Sequence, residues 1–281
     1  MTGLDVALEG DLHPYYVLDV FTEAPLAGNQ LGLFPDADAI QAERMQRIAR
    51  ELNVSETIFL LPPESGGTAR VRIFTPGAEL PFAGHPVLGA GVFLGRALRR
   101  DEVTLETGNG PTPLRVDGSS GWMVQPPFPH APYERADELL AALGVEQSLL
   151  PVEVYENGPR HVFVCLPDED AVAALRPDQA ALAEHERVGA YCFAGSGVRW
   201  KSRWFGPTLG VAEDPATGSA AGPLAVHLGR HGAVQWGTEV EIRQGEEIGR
   251  PSLLRARAYS EDRAEVGGSA VVVARGQYRI G

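Results

Sequence analysis

RIFTP at Arg72–Pro76 followed by GHPVLGAGVFLG at Gly84–Gly95, and RWFGP at Arg203–Pro207 followed by GSAAGPLAVHLG at Gly218–Gly229, are two copies of one pattern. Each copy reads as a strand ending in Phe-x-Pro, then a glycine, a small polar side chain and an apolar helix. The offset is 134 residues (218 minus 84), close to half of the 281-residue chain, and it predicts two homologous lobes. Each helix starts with backbone N–H groups that lack an intrahelical partner, at the positive end of its dipole. Two such starts facing each other form a carboxylate trap between the lobes, where small-molecule sites gather.

Composition narrows the function classes. Hydrophobic residues make up 44% and charged residues 22%, the balance of a globular protein, and the net charge is −13. That charge argues against a nucleic-acid or anionic-membrane partner, because either needs a basic patch. A small-molecule substrate is expected, and an anionic one is compatible with the charge because two local helix starts oppose the global field. Cys165 and Cys192 are the only cysteines, which is no disulfide framework and points to a reducing compartment. Residues 1–13 are acidic and lack the basic and apolar regions of a signal peptide. No run approaches the roughly 18 apolar residues of a membrane span, so the cytoplasm is the expected location. Lys201, the single lysine, sits in the polar run Arg199–Arg203 and reads as solvated, a poor Schiff-base candidate.

Along the chain, Tyr15–Phe21 and the LGLF run from Leu31 read as strands, and Met45, Ile48, Ala49 and Leu52 mark an amphipathic helix over Ala42–Leu52. TIFLL from Thr57 and Arg70–Phe74 are further strands. Glu102–Glu106 and Leu114–Val116 form a hairpin around Gly108–Gly110. The proline-rich Gln125–Tyr133 breaks the pattern and marks a lobe boundary. Beyond it come a helix at Ala136–Leu143, a hairpin within Val152–Pro167, helical turns at Ala171–Leu175 and Gln179–Ala183, and short strands at Ala190–Phe193 and Arg203–Phe205. Strands at Val240–Gln244, Leu253–Ala258 and Ser269–Val273 close the chain. The expectation is an α/β fold of the α+β kind, with two pseudo-symmetric lobes, each a curled sheet around one central helix. The expected lobes are 14–128, completed by a strand near 272–281, and 129–271, after an extension over 1–13.

Four side chains carry candidate chemistry. Glu56 stands where the amphipathic helix hands over to an apolar strand; desolvation there raises a carboxyl pKa and makes a base near neutrality, while the bland alternative is a partly exposed strand-edge glutamate. His85 lies just inside a helix start with Pro86 beside it, where the dipole favours the neutral ring, or where it is a structural cap. Asp214 precedes PATGS and either caps the loop or binds a cationic group. Ser219 is the counterpart of His85 across the repeat, 85 plus 134, so both copies place a hydrogen-bonding side chain at the helix entrance. TGSAAG lacks the Lys of a phosphate loop, and no Gly-x-Ser-x-Gly elbow occurs. His227 and His231 have i, i+4 spacing without the glutamate of a zinc protease, and read as imidazolium groups near a helix end rather than a metal pair. No metal is expected.

With those residues placed, the chain resembles the PhzF family of phenazine-biosynthesis proteins, which have the diaminopimelate-epimerase fold. The stretches that carry the resemblance are MQRIARELNVSET (45–57), RIFTPGAELPFAGHP (72–86), ENGPRHVFV (156–164), EDPATGSAAGPLAVHLGRHG (213–232) and QGEEIGRPS (244–252). It extends from about Tyr16 to the end, and NGPRHVFV, CFAGSG and EIGRPSL are most similar to the phenazine-pathway isomerase branch. The resemblance implies a homodimer that isomerises a cyclic amino acid carboxylate, trans-2,3-dihydro-3-hydroxyanthranilate, to an aminoketone without cofactor. It places the catalytic glutamate on Glu56, with Asp214 and His85 as catalytic partners. It places substrate binding on Ser55, Gly84, His85, Gly218 and Ser219.

Two departures stand out. The family's usual Gly-Asn-Pro is Gly28, Asn29 and Gln30 here, and Gly206 stands where the first copy has Thr75. Three other functions compete. A two-cysteine epimerase needs a thiol at each helix entrance, where this chain has Ala83–Gly84 and Thr217–Gly218. A sister isomerase of another natural-product pathway shares every residue named. A ligand-binding protein without chemistry has no reason to keep all four side chains.

Overall fold

Apolar and alternating runs become strands, and two nearly all-apolar helices thread through the sheets they form. The structure, a computed structural model, describes residues 9–280. The first half runs β1 (Leu12–Val20), β2 (Asn29–Phe34), α1 (Ala42–Leu52), β3 (Glu56–Leu61), β4 (Ala69–Phe74), β5 (Glu79–Leu80), α2 (Gly84–Leu98), β6 (Glu102–Thr107), β7 (Gly110–Asp117) and β8 (Ser120–Val124). The second runs β9 (His130–Pro132), α3 (Ala136–Leu143), β10 (Glu153–Glu156), β11 (Arg160–Cys165), α4 (Glu169–Ala174), α5 (Gln179–Leu182), β12 (Val188–Ser196), β13 (Arg199–Gly206), β14 (Val211–Asp214), α6 (Gly218–Arg230), β15 (Glu239–Gln244), β16 (Ser252–Ser260) and β17 (Arg263–Arg279).

The repeat read from the sequence is a repeat of topology. β2 and β3 pair in parallel across α1, β3 and β4 antiparallel, β4 and β6 in parallel across α2, and β6 and β7 antiparallel. β11 and β12 pair in parallel across α4 and α5, β12 and β13 antiparallel, β13 and β15 in parallel across α6, and β15 and β16 antiparallel. Each helix-bearing crossover therefore returns the chain to a parallel neighbour. β17 joins the two series: its first part pairs with β16 and β8, and its second with β1. α2 and α6 both lie in one large apolar cluster that takes side chains from both halves, while α1 and α3–α5 cover smaller clusters on the outside.

Local chemistry sets the helix ends. α1 buries Met45, Ile48 and Ala49, and Asn53 closes it in the left-handed region at φ 50°. Pro223 lies inside α6 and has no N–H for the Ser219 carbonyl four residues back. Asn157 Nδ2 donates to that carbonyl instead, at 2.9 Å.

The structure corrects several sequence expectations. β1 begins at Leu12, because β17 continues to Arg279 and supplies a partner for Leu12; residues 1–8 of the expected extension lie outside the described residues. The proline-rich stretch ends in a short strand, β9, which pairs with β10, and Pro132, the one proline within it, sits on that edge. Lys201 is buried rather than solvated: its ammonium pairs with Glu247 at 2.7 Å and with Glu246. His227 and His231 lie in the last turn and at the C-cap of α6 as expected, but each donates to Glu153 Oε2 at 3.1 Å and burial lowers the pKa of His227, so that ring is no free imidazolium at the helix end.

Candidate active site

The two helix entrances touch. A Cβ on Gly84 would lie 2.4 Å from the Gly218 carbonyl carbon and 2.5 Å from the Ser219 nitrogen. Only hydrogen at both positions lets α2 and α6 abut start to start. Neither N-cap residue, Ala83 or Thr217, caps its helix with a side chain, and the Thr217 hydroxyl instead donates to Asp214 Oδ2 at 2.6 Å. Two sets of first-turn N–H groups and two positive dipole ends thus converge on one small region.

Glu56, the first residue of β3, reaches this region with its side chain 17% exposed, and its Oε2 lies 3.4 Å from His85 Nε2. Loss of water, and then the charge of Asp214, push the Glu56 carboxyl up to about 8. His85 is buried, and desolvation outweighs its contact with the Gln30 carbonyl, so its pKa falls to about 3 and the ring is neutral. Asp214 is pushed up to about 7 by burial, against the pull of hydrogen bonds from Thr217 and Asn29. Three titratable groups with displaced proton affinities thus gather in one place, an arrangement suited to proton transfer.

Asn29 connects them and was not anticipated as a site residue. Fully buried, it donates through Nδ2 to Asp214 Oδ1 at 2.9 Å and to the Ala216 carbonyl at 3.0 Å, and the same nitrogen lies 3.4 Å from His85 Nδ1. A backbone carbonyl only accepts, so the hydrogen of the neutral His85 ring sits on Nε2, towards Gln30 O at 3.2 Å and beside Glu56. The unexpected Gln30 offers the site its carbonyl and points its side chain to solvent. Gln244 holds the Asp214 loop from β15, donating to the Asp214 carbonyl at 2.8 Å and to Thr217 Oγ1 at 2.9 Å. Arg250 holds the Asn29 turn, donating to Gly28 O at 2.9 Å and to the buried Asp19 at 2.6 Å. Both belong to QGEEIGRPS, so that motif serves to brace two loops at the site.

Ser219, buried at the start of α6, meets His161 Nε2 at 3.0 Å. His161 was also missed; ENGPRHVFV supplies both it and Asn157, and a motif with two polar side chains before an apolar strand was the available signal. Ser55 is half-buried beside Glu56 and makes no side-chain hydrogen bond among the described residues. Cys165 and Cys192 are buried in β11 and β12, away from both helix entrances, with thiols pushed up by burial to about 11 and about 12. At the far end of α6, Glu153, His227 and His231 gather ligand-type atoms within 4.8 Å. Arg230 already donates to the same Glu153 oxygen at 2.6 Å. Burial alone would raise the Glu153 pKa, but hydrogen bonds from His227, His231, Arg230 and Tyr155 hold it well below the usual carboxylate range. A protein cation on the shared oxygen makes this hub a poor fit to a metal.

The chain matches the PhzC-PhzF family, described as phenazine biosynthesis-like protein, over residues 18–276. It belongs to that family. Within the family it is 49% identical over 274 residues to the trans-2,3-dihydro-3-hydroxyanthranilate isomerase of Pseudomonas chlororaphis, covering 94% of this chain and 99% of that protein. It superposes on a PhzF-family phenazine biosynthesis protein from Bacillus anthracis with a TM-score of 0.84 at 25% identity, covering 96% of this chain and all of that one. A probable proline racemase from Agrobacterium radiobacter has the same fold, with a TM-score of 0.64 at 13% identity over 96% of this chain and 93% of its own. The expected diaminopimelate-epimerase-like fold is the one found. Among the described residues no helix is long and apolar enough to cross a membrane.

Proposed function

We propose that this PhzC-PhzF protein is an isomerase that converts trans-2,3-dihydro-3-hydroxyanthranilate to an aminoketone in phenazine biosynthesis. The substrate rests on the near full-length similarity to isomerases of that name. The chemistry rests on one observation, a desolvated Glu56 carboxyl at the meeting point of two helix starts. The substrate carboxylate lies against the first-turn N–H groups at Gly84 and Gly218, which also stabilise charge delocalised into it from the ring. Ionised Glu56 removes the proton from C3, the electron pair moves through the conjugated system, and the same carboxyl returns the proton to C1. The resulting enol at C3 tautomerises to the ketone, so no atom is gained or lost and no oxidant is needed. His85 donates from Nε2 and holds Glu56, Ser219 and Ser55 bind ring substituents, and Asp214 takes the amino group or the second proton.

The lobes of this reading are 14–128, completed by the last part of β17 up to Arg279, and 129–271; the active assembly is a homodimer, which sedimentation velocity at micromolar concentration tests. The decisive assay is incubation with the substrate in deuterated water. Loss of diene absorbance with deuterium at C1, abolished in Glu56→Gln while ligand binding persists, is the expected result. Turnover near the wild-type rate in Glu56→Gln would remove Glu56 as the base. A folded protein inert towards this substrate would favour a ring acid of another natural-product pathway.

A further inference from the structure

Behind Ser219 the fold holds a tryptophan that needs two glycines to fit. A Cβ on Gly189 or on Gly206 would lie 2.2 Å from the Trp204 ring. The departure at Gly206, where the first copy of the repeat has Thr75, is thereby accounted for. Trp204 is buried and turns its indole N–H onto His161 Nδ1 at 3.0 Å. An indole nitrogen only donates, so Nδ1 accepts and bears no proton. His161 is fully buried among apolar and aromatic neighbours, and the loss of water keeps its ring neutral, with a pKa of about 3. The single hydrogen of that ring is then on Nε2, 3.0 Å from Ser219 Oγ. Ser219 accepts it, and the serine's own hydrogen has no other partner among the described side chains.

We propose that Trp204 and His161 are positioning residues that orient the Ser219 hydroxyl, so that it enters the site as a hydrogen-bond donor to an oxygen of the ring acid. Such a relay makes this corner of the site select acceptors. A carboxylate, carbonyl or hydroxyl oxygen is favoured there, because the free hydrogen of Ser219 is the one left to face the ligand. His161 does not touch the ligand and acts only through Ser219. This inference rests on the ring-acid reading above for the identity of the ligand, but the tautomer it requires does not.

Two measurements test it. Long-range 15N–1H correlation spectra of the full-length protein should show His161 as the Nε2–H tautomer from pH 5 to 9, and Trp204→Phe should mix the tautomers. An Nδ1–H tautomer, or a protonation between pH 5 and 7, overturns the proposal whatever the ligand. Binding is then measured with 3-hydroxyanthranilate, which carries the same substituents on an aromatic ring and cannot shift a proton. Loss of one oriented donor should weaken binding about tenfold in Ser219→Ala and similarly in His161→Phe. The double variant should bind no worse than Ser219→Ala alone, and His161→Gln, which keeps a donor near Nε2, should recover part of the loss. Additive losses would show that His161 acts on the fold rather than through Ser219. If His161→Phe does not fold, the same cycle is run with Trp204→Phe. A wild-type protein with the expected tautomer that binds no ring acid would overturn the functional reading and leave the relay standing.

Discussion

Glu56 and Asp214 are held in the protein with their proton affinities raised, and this has consequences for both stability and rate. The two carboxyls rise from 4.5 to about 8 and from 3.8 to about 7. Between those limits the folded protein keeps protons that the unfolded chain releases, so their contribution to stability is complete below the unfolded values and lost as pH climbs towards 8. Glu56→Gln should therefore raise the unfolding temperature at pH 8 and leave it unchanged at pH 4, as read by circular dichroism. In the wild type, kcat/KM should climb with pH as the base form of Glu56 fills, levelling above about 8. Asp214→Asn removes one of the two causes of the Glu56 shift. It should move that rising limb to lower pH while slowing turnover, and a limb that stays in place would show that Asp214 has no electrostatic hold on Glu56.

At the scale of elements, the start-to-start contact of α2 and α6 is the feature everything else depends on. Gly84→Ala places a carbon inside the van der Waals shell of the Gly218 backbone, so the helices must part. A loss of roughly 3 kcal/mol in denaturant titration is expected for such overpacking, with KM rising as the N–H groups diverge. The break in α6 gives a second check. Asn157 Nδ2 satisfies the Ser219 carbonyl that Pro223 leaves free. Asn157→Ala should cost about 1–3 kcal/mol, the penalty for a buried unpaired polar group. In a Pro223→Ala background the helix supplies its own donor, and the cost should shrink.

For the molecule as a whole, β17 couples the two halves, since one continuous strand borders β16, β8 and β1. A chain ending at Ala270 loses every β1 pairing beyond that point. Its thermal unfolding should begin at a lower temperature than that of the full chain, where an unchanged curve would show that β1 is held well enough by β2 alone.

Much of this was readable in the linear chain, for physical reasons. The 3.6-residue spacing of Met45, Ile48, Ala49 and Leu52 placed α1 at its observed limits, because an amphipathic period is a local property. The duplicated helix starts pointed to Gly84, His85, Gly218 and Ser219, while the handover at Glu56 left a strand-edge glutamate as an alternative and only the family resemblance singled it out. What tertiary structure alone decided is which distant side chains meet them. Asn29 reaches Asp214 across 185 residues, His161 reaches Ser219 across 58, and neither contact leaves a periodic trace. Lys201 looked solvated because its neighbours in sequence are polar, yet its partners Glu246 and Glu247 arrive from the loop after β15. Periodicity and turn chemistry act between residues a few positions apart, so the sequence by itself determined the duplicated strand–helix pattern and its two helix starts. Burial, proton affinity and tautomer depend on the three-dimensional neighbourhood, and they were settled only when α2 and α6 packed together and brought distant side chains to their starts.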